Sequence, residues 1–278
     1  MVGSWLVCGN MCHPSFCQIP YSCHVDTDDE YDHDYSYSFT GLLRKKRPIS
    51  YLGRRHIFYS LDICSDMSAS TLNRFDKIAR VYDTLAYLVF GNAIAEAQLV
   101  YIKTIPHQAN VLIVGGGTGK FLQAFLKERP FCKVWYVEAS ATMIALAKQK
   151  TECDQVHFIH GTETDVPSAV LFDAIITHFY LDLFRKERLN EVIHSLMQSG
   201  SPEMKWIVTD FIKTNKLKHA VLLTAMYAFF RIFSSIESLT LPDWHKAFKV
   251  NGLQEVCSTT CFNGFIKSAV YEKAKGIG

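Results

Sequence analysis

The sequence predicts a doubly wound α/β fold on a mostly parallel sheet, and three observations carry that prediction. An apolar run, Val111 to Val114, leads through a glycine turn into a helical pattern. Strand and helix patterns then alternate as far as Phe211. Last, two strand-like runs flank Asn263-Gly264, a hairpin signal.

The 278 residues are 49% hydrophobic and 20% charged, enough to bury one sizeable core. A net charge of +2 and a pI near 8.0 give no electrostatic footprint for nucleic acid, so a small-molecule partner is expected. No stretch reaches the ~18 uninterrupted apolar residues of a spanning helix, and MVGSWLVCGN lacks the basic n-region and apolar run of a signal peptide. A cytoplasmic location is the expectation.

Residues 1–66 differ in character from the rest. They hold Cys8, Cys12, Cys17, Cys23 and Cys64 at irregular gaps, an acidic tract from Asp26 to Tyr35 and the basic cluster Arg44 to Arg47. With His13 and His24 the cysteines suggest a metal module, but no pair shows the Cys-x2-Cys spacing common in zinc sites. A poorly ordered extension is the simpler reading, with no metal site and with Met67 as the true start.

From Met67 the chain becomes patterned, and the domain is expected to span 67–278. Ser70 can cap a helix from Leu72 through Ala86, a second apolar helix covers Leu88 to Ile102, and Pro106 turns the chain into the first strand. A helix at 121–127 ends near Pro130; the second strand, CKVWYVEAS, ends in Glu138; the helix ATMIALAKQK follows. The third strand is QVHFIHG and the fourth opens with Phe172-Asp173, changing from apolar to polar at Thr177, His178, Tyr180 and Asp182. Such a change at a strand's carboxyl end is where open α/β sheets place ligands. A helix at 186–198 and the strand KWIVTDF complete the alternation. Residues 216–233 form an apolar and aromatic helix, and 215–245 read as a lid or an interface insertion, with a weak membrane-surface contact as the other possibility. The protein is expected to be a monomer or a homodimer.

The glycine turn discriminates among ligands. A P-loop needs Gly-x4-Gly-Lys-Ser/Thr, but Val114 and Phe121 occupy its two ends. A dinucleotide fingerprint requires glycine where Lys120 stands. What remains is Gly115-x-Gly117-x-Gly119, with Glu138 nineteen residues on, at the end of the second strand, where an acid can accept both hydroxyls of a ribose.

With VLIVGGGTG, VEASATMIALA, FDAIITHFYLDLF and the terminal hairpin in this order, residues 72–273 resemble a class I S-adenosylmethionine-dependent methyltransferase. FDKIARVYDTLAYLVFG is similar to the opening helix of the ubiquinone and menaquinone C-methyltransferase-like branch. The resemblance implies a Rossmann-like, seven-stranded, three-layer αβα fold whose last strands return antiparallel. It also implies S-adenosyl-L-methionine as cofactor, held by Gly115, Gly116, Gly117 and Gly119, by Glu138 and Ala139 at the ribose, by Met143 and Thr162 at the adenine, and by Tyr82, Thr177 and His178. Two positions depart from the family pattern. Ile113 stands where an acid commonly contacts the methionine part, and Gly161-Thr162-Glu163 replaces a Gly-Asp-Ala segment, so Glu163 is expected to swing in for the missing acid.

The implied reaction is in-line methyl transfer to a small, apolar or aromatic acceptor. His178 and Asp182 are the candidate bases and Tyr180 the orienting hydroxyl, with His178 favoured by an unperturbed pKa of about 6.5. Two other readings are a nicotinamide-dependent oxidoreductase and a non-catalytic protein of the same fold. Lys120 and the closing hairpin speak against the first; the loss of an acid at Ile113 permits the second.

Overall fold

The computed structural model describes residues 83–151, 153–233 and 240–274, which lie in the second of the two units, 1–61 and 62–278, into which the chain divides. The expectations for residues 1–66, the proposed cap at Ser70 and Tyr82 fall outside the described residues.

Strand β1 (Asn110–Val114) is apolar on both faces, which suits it to the centre of a covered parallel sheet. It pairs in parallel with β2 (Lys133–Glu138) on one side and β4 (Phe172–His178) on the other. Beyond these lie β3 (Val156–His160) and β5 (Gly200–Phe211), also parallel. Then β7 (Ile266–Lys273) joins β5 antiparallel and β6 (Leu253–Cys261) closes the edge, giving the order β3-β2-β1-β4-β5-β7-β6. The chain leaves β1 toward one edge and returns at β4 toward the other, so a crevice opens at the carboxyl ends of these two strands.

Alternation along the strands feeds two apolar layers. Val111, Ile113, Ala174 and Ile176 pack with Phe121, Leu122 and Phe125 of α3 (Lys120–Glu128) and Ala147 of α4 (Ala141–Lys150). On the opposite face, Leu112, Val114, Ile175 and Trp206 meet α5 (Lys186–Ser199) and α7 (Trp244–Val250). At the carboxyl end of β5, Leu222, Leu223 and Met226 of α6 (Leu217–Phe233) pack against Phe211, Phe265 and Phe90. Phe90 ends α1, which runs Asp83–Phe90 in the described residues. Among the described residues no single helix is long and apolar enough to cross a membrane.

The seven-stranded sheet and its antiparallel end agree with expectation; three local boundaries do not. The first helices break at Gly91 and Asn92, after Phe90, and α2 spans only Ala93–Leu99. Gly91 takes a left-handed φ of 58° and donates its N–H to the Tyr87 carbonyl, ending the helix as a C-terminal glycine does. Strand β5 starts at Gly200, earlier than the KWIVTDF run. The hairpin closes through a three-residue turn, Phe262–Gly264, in which all three residues adopt positive φ.

Glycine is required at 119 for two separable reasons. Its φ is +82°, and a Cβ there would sit 2.7 Å from the Cα of Ala147, where α4 crosses the start of α3. Gly252 has a similar φ, +78°, with open space around it. Gly252→Ala should therefore cost about 1 kcal/mol from backbone strain alone, and Gly119→Ala roughly 1–3 kcal/mol more from overpacking. Urea unfolding of the two variants measures the difference; equal costs would remove the close helix approach as the reason for the third glycine.

Candidate functional site

The site begins where β1 runs out. Gly115 and Gly116 donate their N–H groups to the Val137 carbonyl, at 2.9 and 3.3 Å, which pins the turn to β2. A Cβ at 116 would collide with the Tyr136 ring, whereas one at 117 would meet nothing within 4 Å. Gly117, at φ +70°, thus faces open space with its backbone bare.

Beneath this turn lies Glu138, 8% exposed. One carboxylate oxygen accepts the Gly117 N–H at 2.8 Å and the other the Ser140 N–H at 2.9 Å. Burial raises its pKa, and the backbone N–H groups of Ser140 and Gly117 counter that. A carboxylate has about four lone-pair sites, so two remain for hydroxyls of a ligand. Ser140 also caps α4 by accepting the Met143 N–H at 3.2 Å, and this sets the buried Met143 in the first turn, five residues after Glu138. The Ala139 carbonyl, part of the same bend, pairs with a ring nitrogen of His160 at 3.0 Å.

Asp83 ties α1 to the turn. It accepts from the Thr118 hydroxyl at 2.8 Å and pairs with Lys120 at 3.3 Å and Lys150 at 3.7 Å, while Lys150 also donates to the Thr118 carbonyl at 2.7 Å.

At the end of β3, Thr162 forms a capping box with Asp165 and its hydroxyl contacts that of Thr164 at 2.9 Å. Glu163 does not swing toward the turn. Its carboxylate is buried, accepting from the Tyr180 hydroxyl at 2.6 Å and from the Arg188 guanidinium. Tyr180 is correspondingly not an orienting hydroxyl for an acceptor: its phenol is committed to Glu163, and burial followed by the Glu163 charge pushes its pKa well above the usual value. A Cβ at Gly115 would run 3.1 Å from Cγ of the Tyr180 ring, so this tyrosine walls the glycine turn. Thr177 is absent from the site as well. Its side chain points into the opposite layer, fully buried, and its hydroxyl accepts from the Trp206 indole at 2.9 Å. Ile113 fills the apolar layer with Phe121 and Ile176, where an acid would lack partners.

Known proteins resemble this chain in sequence and fold. Residues 111–203 match the methyltransferase domain family. The malonyl-[acyl-carrier protein] O-methyltransferase of Priestia megaterium is 27% identical over 140 residues, and the match spans 50% of this chain and 50% of that relative's length. Among solved structures, the DhpI-SAH complex superposes with a TM-score of 0.56 at 16% identity, covering 74% of this chain and 96% of that one. The 1,6-didemethyltoxoflavin-N1-methyltransferase of Burkholderia thailandensis, solved with 1,6-didemethyltoxoflavin and S-adenosylhomocysteine, gives 0.54 at 15% identity, covering 74% and 89%. The fold is that of a class I methyltransferase.

In this methyltransferase fold the candidate bases are His178, the last residue of β4, and Asp182, in the turn after it. His178 is 7% exposed, packs edge-on against Phe121 at 4.6 Å, and neither ring nitrogen has a hydrogen-bond partner. Burial drives its pKa down to about 3, only partly offset by backbone groups of Gln98 and Thr177. A neutral imidazole of such low basicity is a poor proton acceptor near neutral pH, which reverses the sequence preference for His178 over Asp182. Phe179 then takes a left-handed φ of 51°, re-aiming the chain into the turn Leu181–Leu183.

That turn sets Asp182 beside Asp210, the acid near the end of β5. Asp210 is fully buried and accepts from the backbone N–H groups of Leu181 at 3.1 Å, Asp182 at 3.3 Å and Phe211 at 2.8 Å. Asp182 Oδ1 is buried without a partner. Burial lifts the Asp182 carboxyl to about 7, and burial plus repulsion from Asp182 lifts Asp210 well above the carboxylate range. Sequence reading missed Asp210 and Arg188. Asp210 was visible in principle, as an acid closing a buried strand that neighbours β4. A surface cleft lined by Pro106, Asp173, Pro202 and Lys205 lies at the amino ends of the strands, away from this chemistry.

A carboxyl raised in the folded state favours folding below its unfolded pKa and withdraws that support as pH rises through its folded value. For Asp182 the loss begins at about pH 4, the ordinary carboxylate value, and is complete at about pH 7. The Tm should drop as pH is taken from about 4 to about 7, and Asp182→Asn should flatten the drop. An unchanged slope in the variant would clear the pair as its cause. Arg188→Ala should cost about 3 kcal/mol by chemical unfolding, because it strands the buried Glu163 charge.

Proposed function

We propose that this chain transfers a methyl group from S-adenosyl-L-methionine to a small, apolar or aromatic acceptor. The observation that carries the reading is the buried Glu138 carboxylate under an open, side-chain-free Gly117. The residues fit that cofactor: backbone groups at Gly115 to Gly117 for its methionine part, the two spare acceptor sites of Glu138 for its ribose, and Met143 with Thr162 for its adenine. Bound there, the cofactor supplies a methyl group made electrophilic by a sulfonium, and transfer is an in-line displacement.

The chain's own share is alignment, exclusion of water and acceptance of a proton. Alignment rests on the Asp83 and Glu138 contacts that hold the turn. Water exclusion falls to α6, acting as a lid: its Leu222, Leu223 and Met226 pack inward on Phe211 and Phe265, while Leu217 and Val221 face outward. The aromatic side chains under this helix favour an apolar or ring-bearing acceptor, as does the resemblance of the FDKIARVYDTLAYLVFG segment to the quinone C-methyltransferase branch.

Calorimetric titration with S-adenosylhomocysteine, S-adenosylmethionine and NAD tests the assignment. The first two should bind, and Glu138→Gln should weaken them roughly 100-fold by replacing charge-assisted hydrogen bonds with neutral ones. Binding of NAD alone would overturn the proposal.

A further inference from the structure

Of the ten large hydrophobic side chains exposed among the described residues, six lie on two helices: Leu85, Tyr87, Leu88 and Val89 on α1, and Leu217 and Val221 on α6. Protein surfaces ordinarily scatter such residues singly, so their concentration has a cause to be found. Contacts join the two helices into one face. Phe90, the last residue of α1, packs against Phe262 with ring centroids 5.1 Å apart, and the next residue of that turn, Asn263, accepts at its carbonyl from Nζ of Lys216 at 2.7 Å, just ahead of α6. Beneath them Phe90, Ile94, Phe265, Leu222 and Met226 share one apolar cluster. Helix α1 is held at both ends, by Asp83 on the Thr118 hydroxyl and by Phe90 in that cluster, and Tyr87 and Leu88 between them are left in solvent.

Charge distinguishes what this face can meet. No charged residue occurs from Thr84 to Ala95 and no acid from Phe211 to Phe229, while Lys213, Lys216 and Lys218 are exposed where α6 begins. An apolar strip edged by lysines suits a helix lying in a lipid headgroup layer, with apolar side chains among the acyl chains and ammonium groups at the phosphates. A second copy of the chain fits worse, because a two-fold contact through this face would bring the same lysines together with no acid among them. Neither helix is long enough to cross a bilayer: α6 is apolar over Leu217–Phe229, and the chain bends by 99° between Asp83–Phe90 and Ala93–Thr104.

We propose that the face formed by α1 and α6 docks peripherally on an anionic lipid bilayer. The docking does not depend on the methyl-transfer reading; it adds to that reading a route by which an apolar acceptor reaches the lid helix from lipid. Flotation of the full chain with vesicles tests it. The protein should bind vesicles of phosphatidylcholine and phosphatidylglycerol in equal parts roughly 100-fold tighter than phosphatidylcholine alone, the preference three lysines give at an anionic surface. High salt should remove most of that preference. Leu88 and Leu217 are 75% and 81% exposed, so Leu88→Glu with Leu217→Glu should leave the Tm unchanged and abolish flotation. Replacing all three lysines, as Lys213→Gln, Lys216→Gln and Lys218→Gln, should leave only weak binding, equal for the two vesicle types. Equal affinity of the parent protein for both vesicle types, flotation with neither, or flotation of the glutamate variant as strong as the parent's would overturn the docking. A concentration-dependent dimer that the glutamate variant loses would overturn it too, by assigning the face to a second copy.

Discussion

The carboxylate of Glu138 is the constraint on which the site depends. The turn from Gly115 to Gly119 carries three residues at positive φ and would otherwise expose bare backbone N–H groups. Glu138 accepts one of those, from Gly117, and a second from Ser140, and so couples the turn to the start of α4. A buried carboxylate is tolerated only when its oxygens are satisfied, and here the turn and the carboxylate each supply what the other lacks. The β1 and β2 register, with Val114 opposite Val137, places Glu138 one residue past the turn's anchor point.

The acceptor side follows different physics. Along β4, alternation sends Thr177 into one apolar layer and His178 toward α3, so neither side chain is free to serve the role its sequence position suggests. Phe179 breaks the alternation with a left-handed backbone and puts Tyr180 and Asp182 in places a continued strand would not reach. Tyr180 becomes the wall between the glycine turn and the Glu163–Arg188 pair, while Asp182 meets Asp210 across the end of β5. One residue at positive φ therefore separates a structural tyrosine from a carboxyl that burial lifts to about 7.

The parts legible in sequence were those set by local pattern. Apolar runs of strand length, the glycine spacing and the helical pattern ATMIALAKQK all act over a few residues, and the elements they mark formed close to expectation. Long-range pairings were not legible. Glu163 looked available for the cofactor because Arg188 lies 25 residues away in another element, and nothing in the local pattern announces their pairing. Periodicity ran through Gly91 without a visible break, since a single glycine in a helical pattern is tolerated until its backbone turns left-handed. His178 was favoured by a solution pKa that burial removes. The basicity of Asp182 arises only when folding buries its carboxyl, and no spacing rule encodes that burial or the Asp210 contact beside it.

The central claim is that Gly115 to Gly117 and Glu138 cradle S-adenosylmethionine. An amide NMR titration with S-adenosylhomocysteine addresses it most directly, because the reporting atoms are the turn's own N–H groups. The Gly115, Gly116, Gly117, Ala139 and Ser140 amides should shift together and saturate at one dissociation constant. Saturating ligand that leaves Gly117 and Ser140 unmoved while other amides respond would contradict the site.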